Sequence, residues 1–177
     1  MIGVLVSGEG TNLQALIDAG LPIAAVASNR AEAAALERAD RALIPNRVYA
    51  LEDFADRETR DREMADWLQL RGVDLVVLAG YMHLLTPAFL DRFPQRIVNV
   101  HPSLLPDFPG ARPIEDALAA DVQTTGVTVH YVDEGVDTGP VIRQEQVAVE
   151  PRDTLMSRLH AVEHRLLPEV VRELCAR

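Results

Sequence analysis

Several features that would place this chain in a particular class of protein are scarce in it. Cysteine occurs once, at Cys175, so the 177-residue chain cannot form an internal disulfide, and a reducing cytoplasm fits. The 17 basic residues are outnumbered by 27 acidic ones, and the formal charge of -10 argues against a nucleic-acid or anionic-membrane surface. No apolar run approaches the roughly twenty residues of a membrane span, and no basic segment precedes the first strand as in a signal peptide. We therefore expect a cytoplasmic protein with neither nucleic acid nor membrane among its partners.

Internal repeats, low-complexity tracts and linkers are also missing from the sequence. A length of 177 residues suits one large domain that can bury a core of its own. The hydrophobic share of 48% and the charged share of 25% are ordinary for a globular protein. We predict a single domain over residues 1–177.

The first two thirds of the chain alternate between short apolar runs and helical patterns. Strands are predicted at residues 2–6, 23–27, 47–51, 74–80 and 96–100, and helices around 13–17, 32–42, 59–71 and 87–92. The run 74–80 is almost wholly apolar, which is typical of a parallel strand that is covered on both faces. This alternation predicts a doubly wound α/β fold, with a mostly parallel sheet and helices on both faces.

The pattern changes after residue 112. A helix is predicted at 113–120, and two half-exposed strands at 125–132 and 141–149, which pair as an antiparallel C-terminal extension of the sheet. A last helix is predicted to begin at Asp153 as its N-cap, with Pro168 bending it.

Polar chemistry follows one of the buried strands directly, in residues 99–106, Asn-Val-His-Pro-Ser-Leu-Leu-Pro. Asn99 and His101 point the same way along an extended backbone because side chains alternate along a strand, and the prolines end that strand. Asp137 lies in a turn-rich loop that could fold a carboxylate onto the imidazole. An amide, an imidazole and a carboxylate can move protons and hold an oxyanion during acyl transfer.

A glycine-containing loop, Ser-Gly-Glu-Gly-Thr-Asn at residues 7–12, ends the first strand and opens the first helix. Its N–H groups and the helix dipole suit an anion, although the third glycine of a dinucleotide-binding loop is missing. Residues 81–83 and 99–101 also follow parallel strands, and ligands of such sheets bind at the carboxyl ends of the strands. We therefore expect these three segments to belong to one site.

The motif at 99–106, together with the Asp-Thr-Gly-Pro segment at 137–140, resembles the signature of the folate-dependent formyltransferases. The resemblance covers nearly the whole chain and implies that Asn99, His101 and Asp137 are catalytic. Residues 7–14 are similar to the opening of the purine-pathway branch of this family. That branch transfers a formyl group from 10-formyltetrahydrofolate, as co-substrate, to the amine of 5′-phosphoribosylglycinamide, without a metal. A homodimer is compatible with the resemblance.

The resemblance also implies substrate-binding residues. The glycine loop would hold the 5′-phosphate with Gly10, Thr11 and Asn12, and Arg57 would add charge to it. Glu163, in a Glu-His pair of the last helix, would contact the amine or the ribose hydroxyls. The loop that lines the folate pocket would be Tyr81, Met82, His83, Leu84 and Leu85, although the family often has Arg in place of His83. His130 is interpreted as a packed, hydrogen-bonded strand residue.

The last helix also contains His160, Glu163 and His164, in the His-x-x-Glu-His spacing of a family of zinc peptidases. A zinc enzyme needs a third protein ligand, and those peptidases take it from far downstream. Only residues 165–177 follow His164. We interpret the match as chance and expect no metal.

Three other functions remain to be weighed. Residues 110–113, Gly-Ala-Arg-Pro, look more like the formyltetrahydrofolate hydrolases, which carry an extra N-terminal domain and lack the glycine loop. Methionyl-tRNA formyltransferase would need a basic C-terminal domain. A non-catalytic small-ligand-binding α/β module would explain the glycine loop but would leave Asn99, His101 and Asp137 without a role.

Overall fold

Strands and helices alternate along residues 1–176, which the computed structural model describes. The strands are β1 (Ile2–Val6), β2 (Ile23–Ser28), β3 (Asn46–Val48), β4 (Leu75–Leu78), β5 (Ile97–His101), β6 (Thr124–Tyr131) and β7 (Val141–Ala148). The helices are α1 (Thr11–Asp18), α2 (Ala34–Arg41), α3 (Arg57–Leu70), α4 (Pro87–Leu90), α5 (Pro113–Ala119) and α6 (Leu155–Cys175). Short 3-10 turns cover Leu51–Asp53 and Arg152–Thr154. No helix within residues 1–176 is long and apolar enough to cross a membrane.

The sheet has the strand order β3-β2-β1-β4-β5-β6-β7. β1 pairs in parallel with β2 and β4, β2 pairs in parallel with β3, and β6 pairs antiparallel with β7. The predicted fold class, a mostly parallel doubly wound sheet with an antiparallel C-terminal extension, is confirmed.

The chain divides into two compact units, Met1–Val98 and the residues from Asn99 onward. In the first unit β1 is completely buried, and its neighbours β2 and β4 lie on opposite sides of it. The strand order therefore reverses at β1, and ligands of doubly wound sheets bind beside the carboxyl ends of strands at such a reversal. The segments that follow β1 and β4 in the first unit are residues 7–12 and 79–86.

The second unit is built around the β6–β7 hairpin, on which α6 packs. The buried side of α6 carries Leu159, Leu166 and Val170, which repeat at helical spacing. On its outer side, Arg165 pairs with Glu145 of β7 at 2.5 Å, and Glu173 accepts a hydrogen bond from Arg143 at 2.9 Å. These contacts fix the hairpin whose loop contains Asp137.

Some predicted boundaries differ from the structure. Asp153 is not the N-cap of the last helix, because it lies within the 3-10 turn that precedes α6, and Thr154 occupies the cap position. Helix α3 begins before the predicted Thr59, since Asp56 caps it by accepting a hydrogen bond from the backbone N–H of Thr59 at 2.7 Å. Pro168 lies inside α6, which continues through it.

Candidate active site

Asp137 lies in the loop that joins β6 to β7, and the loop holds its own shape. One oxygen of Asp133 accepts hydrogen bonds from the N–H of Gly135 (3.0 Å) and the hydroxyl of Thr138 (2.6 Å). A side chain at Gly139 would collide with the backbone of Tyr131, so only glycine fits there. Asp137 itself has a φ of +53°, a left-handed conformation that L residues rarely adopt.

The carboxylate of Asp137 is surrounded by nitrogen atoms. The closest are the backbone N of Gly110 (2.8 Å), Nδ2 of Asn99 (3.4 Å), Nδ1 of His101 (3.5 Å) and Nε2 of His130 (3.5 Å). The structure thus brings the three predicted catalytic residues together within the second unit. It adds His130, whose sequence pattern predicts only a packed strand residue.

The surroundings of Asp137 keep its carboxylate charged. Burial raises the pKa of Asp137, but the hydrogen bonds from His130 and the Gly110 N–H and the charges of the two histidines outweigh burial. The net effect is a pKa below the ordinary value of 3.8. Asp137 is therefore ionised at neutral pH and can accept protons or stabilise a neighbouring imidazolium.

The ring of His101 is buried, and both of its nitrogens have a partner. Nε2 lies 2.8 Å from the carbonyl oxygen of Phe108. A carbonyl can only accept, so Nε2 carries a proton, and Nδ1 faces Asp137. A second proton at Nδ1 would make His101 an imidazolium paired with that carboxylate.

The amide nitrogen of Asn99 lies between a ring nitrogen and a carboxylate. Its Nδ2 lies 3.2 Å from Nε2 of His130 as well as 3.4 Å from Asp137. The other ring nitrogen of His130, Nδ1, lies 2.7 Å from the carbonyl oxygen of Tyr131 and must donate to it. Nε2 of this ring faces both the Asn99 amide and the Asp137 carboxylate, so His130 positions the two groups together.

The turn after β5 is held by a hydroxyl that the sequence motif does not contain. Oγ1 of Thr128, buried in β6, donates to the carbonyl of Ser103 (2.7 Å) and accepts from the N–H of Leu105 (3.1 Å). Gln144 of β7 donates to the same hydroxyl at 2.9 Å and to the carbonyl of Leu105 at 2.8 Å. These bonds fix the turn next to His101.

In the first unit, the glycine loop packs closely against α2. Gly10 has a φ of +72° as the N-cap of α1, and a Cβ there would lie 2.5 Å from the Cβ of Ala35. Thr11 and Asn12 form the first turn of α1. Nε of Arg38 donates to the carbonyl of Glu9 at 2.8 Å. Since C=O and N–H point in opposite directions across a trans peptide, this bond also fixes the direction of the Gly10 N–H.

Ser7 joins the glycine loop to the segment after β4. Its hydroxyl donates to Oδ1 of Asn29 (2.5 Å) and accepts from the backbone N–H of Met82 (2.9 Å). The structure thus places these two strand ends side by side within the first unit.

Residues 81–85 present a mixed surface. Met82 and Leu84 are 64% and 49% exposed, so the segment offers apolar side chains to a ligand, whereas Leu85 is buried. Tyr81 is also buried, and burial raises the pKa of its hydroxyl to about 12 despite the nearby Arg60. Among residues 1–176 the Tyr81 hydroxyl finds no hydrogen-bond partner, as expected of a group that meets water or a ligand.

Helix α3 contributes three charged residues near this segment. Arg57 is exposed at the first position of α3, and its charge lowers the pKa of His83, after the larger effects of burial and of Arg60. Arg60 and Asp61 are completely buried. No motif in the sequence marks this pair, although the spacing of Arg60 with Met64 and Leu68 places it on the inward face of the helix.

Glu163 and the neighbouring histidines lie on α6. The side chain of Glu163 is buried, and the rings of His160 and His164 stack with their centroids 6.1 Å apart. In the part of the chain that the structure describes, no three His, Cys, Asp or Glu side chains are grouped to hold a metal ion.

Comparison with known proteins shows the family to which the chain belongs. The family described as formyl transferase matches residues 1–171, and the chain belongs to this family. The resemblance drawn from the motifs is confirmed.

Individual relatives narrow the comparison. A phosphoribosylglycinamide formyltransferase of Haemophilus influenzae is 42% identical over 180 residues, covering 97% of this chain and 85% of that protein. The trifunctional purine biosynthetic protein adenosine-3 of Drosophila pseudoobscura pseudoobscura is 44% identical over 181 residues, covering 96% of this chain and 13% of that longer protein. The crystal structure of phosphoribosylglycinamide formyltransferase from Bacillus halodurans has a TM-score of 0.95 and 40% identity, covering 99% of this chain and 95% of that one.

Proposed function

We propose that this chain is an enzyme of purine biosynthesis that transfers the formyl group of 10-formyltetrahydrofolate to the amine of 5′-phosphoribosylglycinamide. The observation that carries the proposal is the convergence of an amide, an imidazole and an ionised carboxylate at Asn99, His101 and Asp137. This set can stabilise an oxyanion and move a proton, which are the two requirements of acyl transfer to an amine.

In the reaction, the amine nitrogen attacks the formyl carbon, a C–N bond forms, and the carbonyl electron pair moves onto oxygen. The tetrahedral intermediate then collapses, breaking the bond from the formyl carbon to the folate nitrogen. One proton leaves the amine and one reaches the departing nitrogen. The products are the formylated amine and tetrahydrofolate, and no covalent enzyme intermediate is required.

His101 stabilises the oxyanion by exchanging one acceptor for another. Its Nε2–H now donates to the carbonyl of Phe108 at 2.8 Å. The formyl oxygen is an acceptor of the same kind, and its negative charge in the intermediate makes it a stronger one. Asn99 contributes in the same way, since the 3.4 Å contact of its Nδ2 with Asp137 is long and easily exchanged.

Asp137 has two tasks. Its carboxylate lies 3.5 Å from Nδ1 of His101 and holds the ring in place. Through a bound water it also accepts the proton of the amine and returns it to the folate nitrogen.

The 5′-phosphate binds at Gly10, Thr11 and Asn12, with Arg57 adding charge. Support for this assignment is the start of α1 at Thr11, which has no side-chain cap and where N–H groups and the helix dipole favour an anion. The folate binds along residues 81–85, where the exposed Met82 and Leu84 suit an aromatic ring system. Glu163 is assigned to the substrate amine or ribose hydroxyls on the strength of the family resemblance.

The decisive experiment measures formyl transfer with purified protein and both substrates, and formate release without the phosphoribosyl amine. We expect formylated amine as the product and negligible hydrolysis. Rapid formate release that ignores the amine would instead establish a formyltetrahydrofolate hydrolase, and the absence of both reactions would leave only a ligand-binding role. Activity that survives chelator treatment is expected, because no step above uses a metal.

The phosphate assignment has its own test. Gly10→Val would disturb the fold as well as the phosphate, since its side chain would strike Ala35. Gly8 is the better position for a test variant, because a Cβ there would have no atom of residues 1–176 within 4 Å except its chain neighbours and would leave the fold undisturbed. We expect Gly8→Ala and Arg57→Ala to raise the KM for the phosphoribosyl substrate and to leave the KM for folate unchanged; the reverse pattern would refute the assignment.

A further inference from the structure

Arg60 and Asp61 form an ion pair with both side chains completely buried in helix α3. Nε and Nη2 of Arg60 both donate to Oδ1 of Asp61, at 2.9 Å and 2.6 Å. Burying two charges is costly even when they are paired, so such a pair adds little stability over an apolar core. The role of the pair therefore lies in the hydrogen bonds that it makes with other elements.

Both partners reach out of the helix to the segment after β4. Oδ2 of Asp61 accepts a hydrogen bond from the backbone N–H of Thr86 at 2.7 Å. Nη1 of Arg60 lies 2.7 Å from Nδ1 of His83. A continuous chain of hydrogen bonds thus runs from Thr86 through Asp61 and Arg60 to the ring of His83.

The last of these bonds determines the protonation of His83. A guanidinium can only donate, so Nδ1 of His83 must present its lone pair. A neutral ring then carries its single proton at Nε2. Adding a second proton at Nδ1 would break the bond and place an N–H against a buried cation.

We propose that Arg60 is a positioning residue that holds His83 as a neutral Nε2–H donor within the segment 81–85. The inference rests on the proposed assignment of that segment to the folate site. In this arrangement His83 offers folate one fixed N–H donor. Its ring also stays uncharged over the physiological pH range. Asp61 holds Arg60 in place. Its bond with the Thr86 N–H also fixes the residue that follows the segment 81–85.

The charged and titratable groups that face His83 act mostly in one direction. Burial lowers the pKa of the His83 ring first, then the charges of Arg60 and Arg57 lower it further, and Asp61 opposes them. The Tyr81 ring meets the His83 ring edge-on with centroids 6.0 Å apart, and its hydroxyl stays neutral because burial raises its pKa to about 12. None of these groups reverses the lowering of the His83 pKa by Arg60.

The protonation state of His83 can be tested first with the Arg60–Asp61 pair intact. Nitrogen NMR of the histidine side chains of the unmodified protein, with His83→Gln used to assign the His83 signals, reports the tautomer and titration directly. We expect an Nε2–H tautomer that takes up its second proton at a pH below the ordinary histidine value of about 6.5. A ring of the Nδ1–H tautomer, or one that titrates near the ordinary value of about 6.5, would overturn the proposal.

Kinetics test the positioning role. The double variant Arg60→Gln/Asp61→Asn keeps hydrogen-bonding groups and leaves no unpaired buried charge, and Arg62→Gln on the exposed part of the same helix is the control. We expect the double variant to raise the KM for folate about fivefold, the scale of one hydrogen bond. That KM should also become pH-dependent near neutral pH, because His83 no longer has the guanidinium that keeps it neutral. Its kcat should stay within about twofold, because the pair touches no reacting atom.

A KM for folate that matches the control at every pH would overturn the positioning role. A different result would contradict the proposed folate site. If His83 shows the expected tautomer but His83→Gln leaves the KM for folate unchanged, His83 does not contact folate, and only its control by Arg60 remains.

Discussion

Among single residues, Asp137 links the others of the candidate site, because its two oxygens contact nitrogens of four residues in three separate parts of the second unit. Its left-handed backbone and the closed loop around it keep the carboxylate in place before any substrate binds. Preorganisation of this kind is the main source of electrostatic catalysis.

The first prediction concerns turnover. His101→Ala and Asp137→Asn should each lower kcat at least ~100-fold, the scale of losing a positioned proton-transfer or oxyanion group. Steady-state formyl transfer measures the effect, and Glu134→Gln, exposed in the same loop as Asp137, is the control and should retain normal activity. Near-normal kcat in either active-site variant would refute the mechanism.

The second prediction concerns stability and pH. Because the pKa of Asp137 is lower in the folded protein than its ordinary value, its ionised form stabilises the fold above the unfolded pKa of about 3.9. This contribution is lost as pH falls through the folded pKa. Urea unfolding should therefore show a larger free-energy difference between the unmodified protein and Asp137→Asn at pH 7 than at about pH 3. A difference that does not change with pH would mean that the carboxylate is not held by its neighbours.

At the scale of secondary-structure elements, helix α2 supports the glycine loop without belonging to it. Arg38 fixes the Glu9 carbonyl, and Ala35 leaves room only for glycine at position 10. The loop therefore depends on the element that packs behind it, which no loop motif describes.

The third prediction follows from this support. Arg38→Ala should free the Glu9–Gly10 peptide and raise the KM for the phosphoribosyl substrate about fivefold, the scale of a hydrogen bond made by a charged group. The KM for folate should not change. Arg41→Ala, on the same helix and paired with Glu37 at the surface, is the matched control. Equal effects of the two variants would show that Arg38 acts only through the stability of α2.

Sequence patterns predicted the strands and helices well where the pattern lies within the element itself. The continuous apolar run of β4 and the alternation of β6 led directly to the parallel sheet and its antiparallel extension. The start of α6 was misplaced because Asp153 has the side chain of an N-cap, whereas the backbone forms a 3-10 turn before the helix begins. Such a choice depends on packing at both ends of the turn, which local preference does not contain.

The site was predictable where residue chemistry and strand ends coincide. Asn99, His101 and Asp137 stand out because polar groups follow apolar strands. Thr128 and the Arg60–Asp61 pair were missed because their partners are backbone groups and a histidine that lie 22 or more residues away in sequence. Contacts over such distances are visible only after folding.

At the scale of the whole molecule, all 17 basic residues are arginine, and they stand against 27 acidic ones. Arginine keeps its charge when buried, whereas lysine readily loses it, so only arginine could maintain the buried pair with Asp61.

The fourth prediction concerns the domain count. We propose that residues 1–177 unfold as one domain, although residues 1–98 and those from 99 onward are each compact. Scanning calorimetry should give a single transition whose calorimetric and van't Hoff enthalpies agree. Two resolved transitions would establish two independently folding domains.

The hydroxyl of Ser7 has a thermodynamic consequence. It is bonded at once to Asn29 and to the Met82 N–H, so ordering of the glycine loop and ordering of residues 81–85 are linked through one atom. Occupancy of either segment should change the affinity of the other by the same factor, since such coupling is reciprocal. Calorimetric titration of the phosphoribosyl substrate with and without a non-reactive folate analogue should reveal a coupling factor that Ser7→Ala reduces toward one. A coupling that survives in Ser7→Ala would have to pass through other bonds, and the two ligands would then cooperate without this hydroxyl.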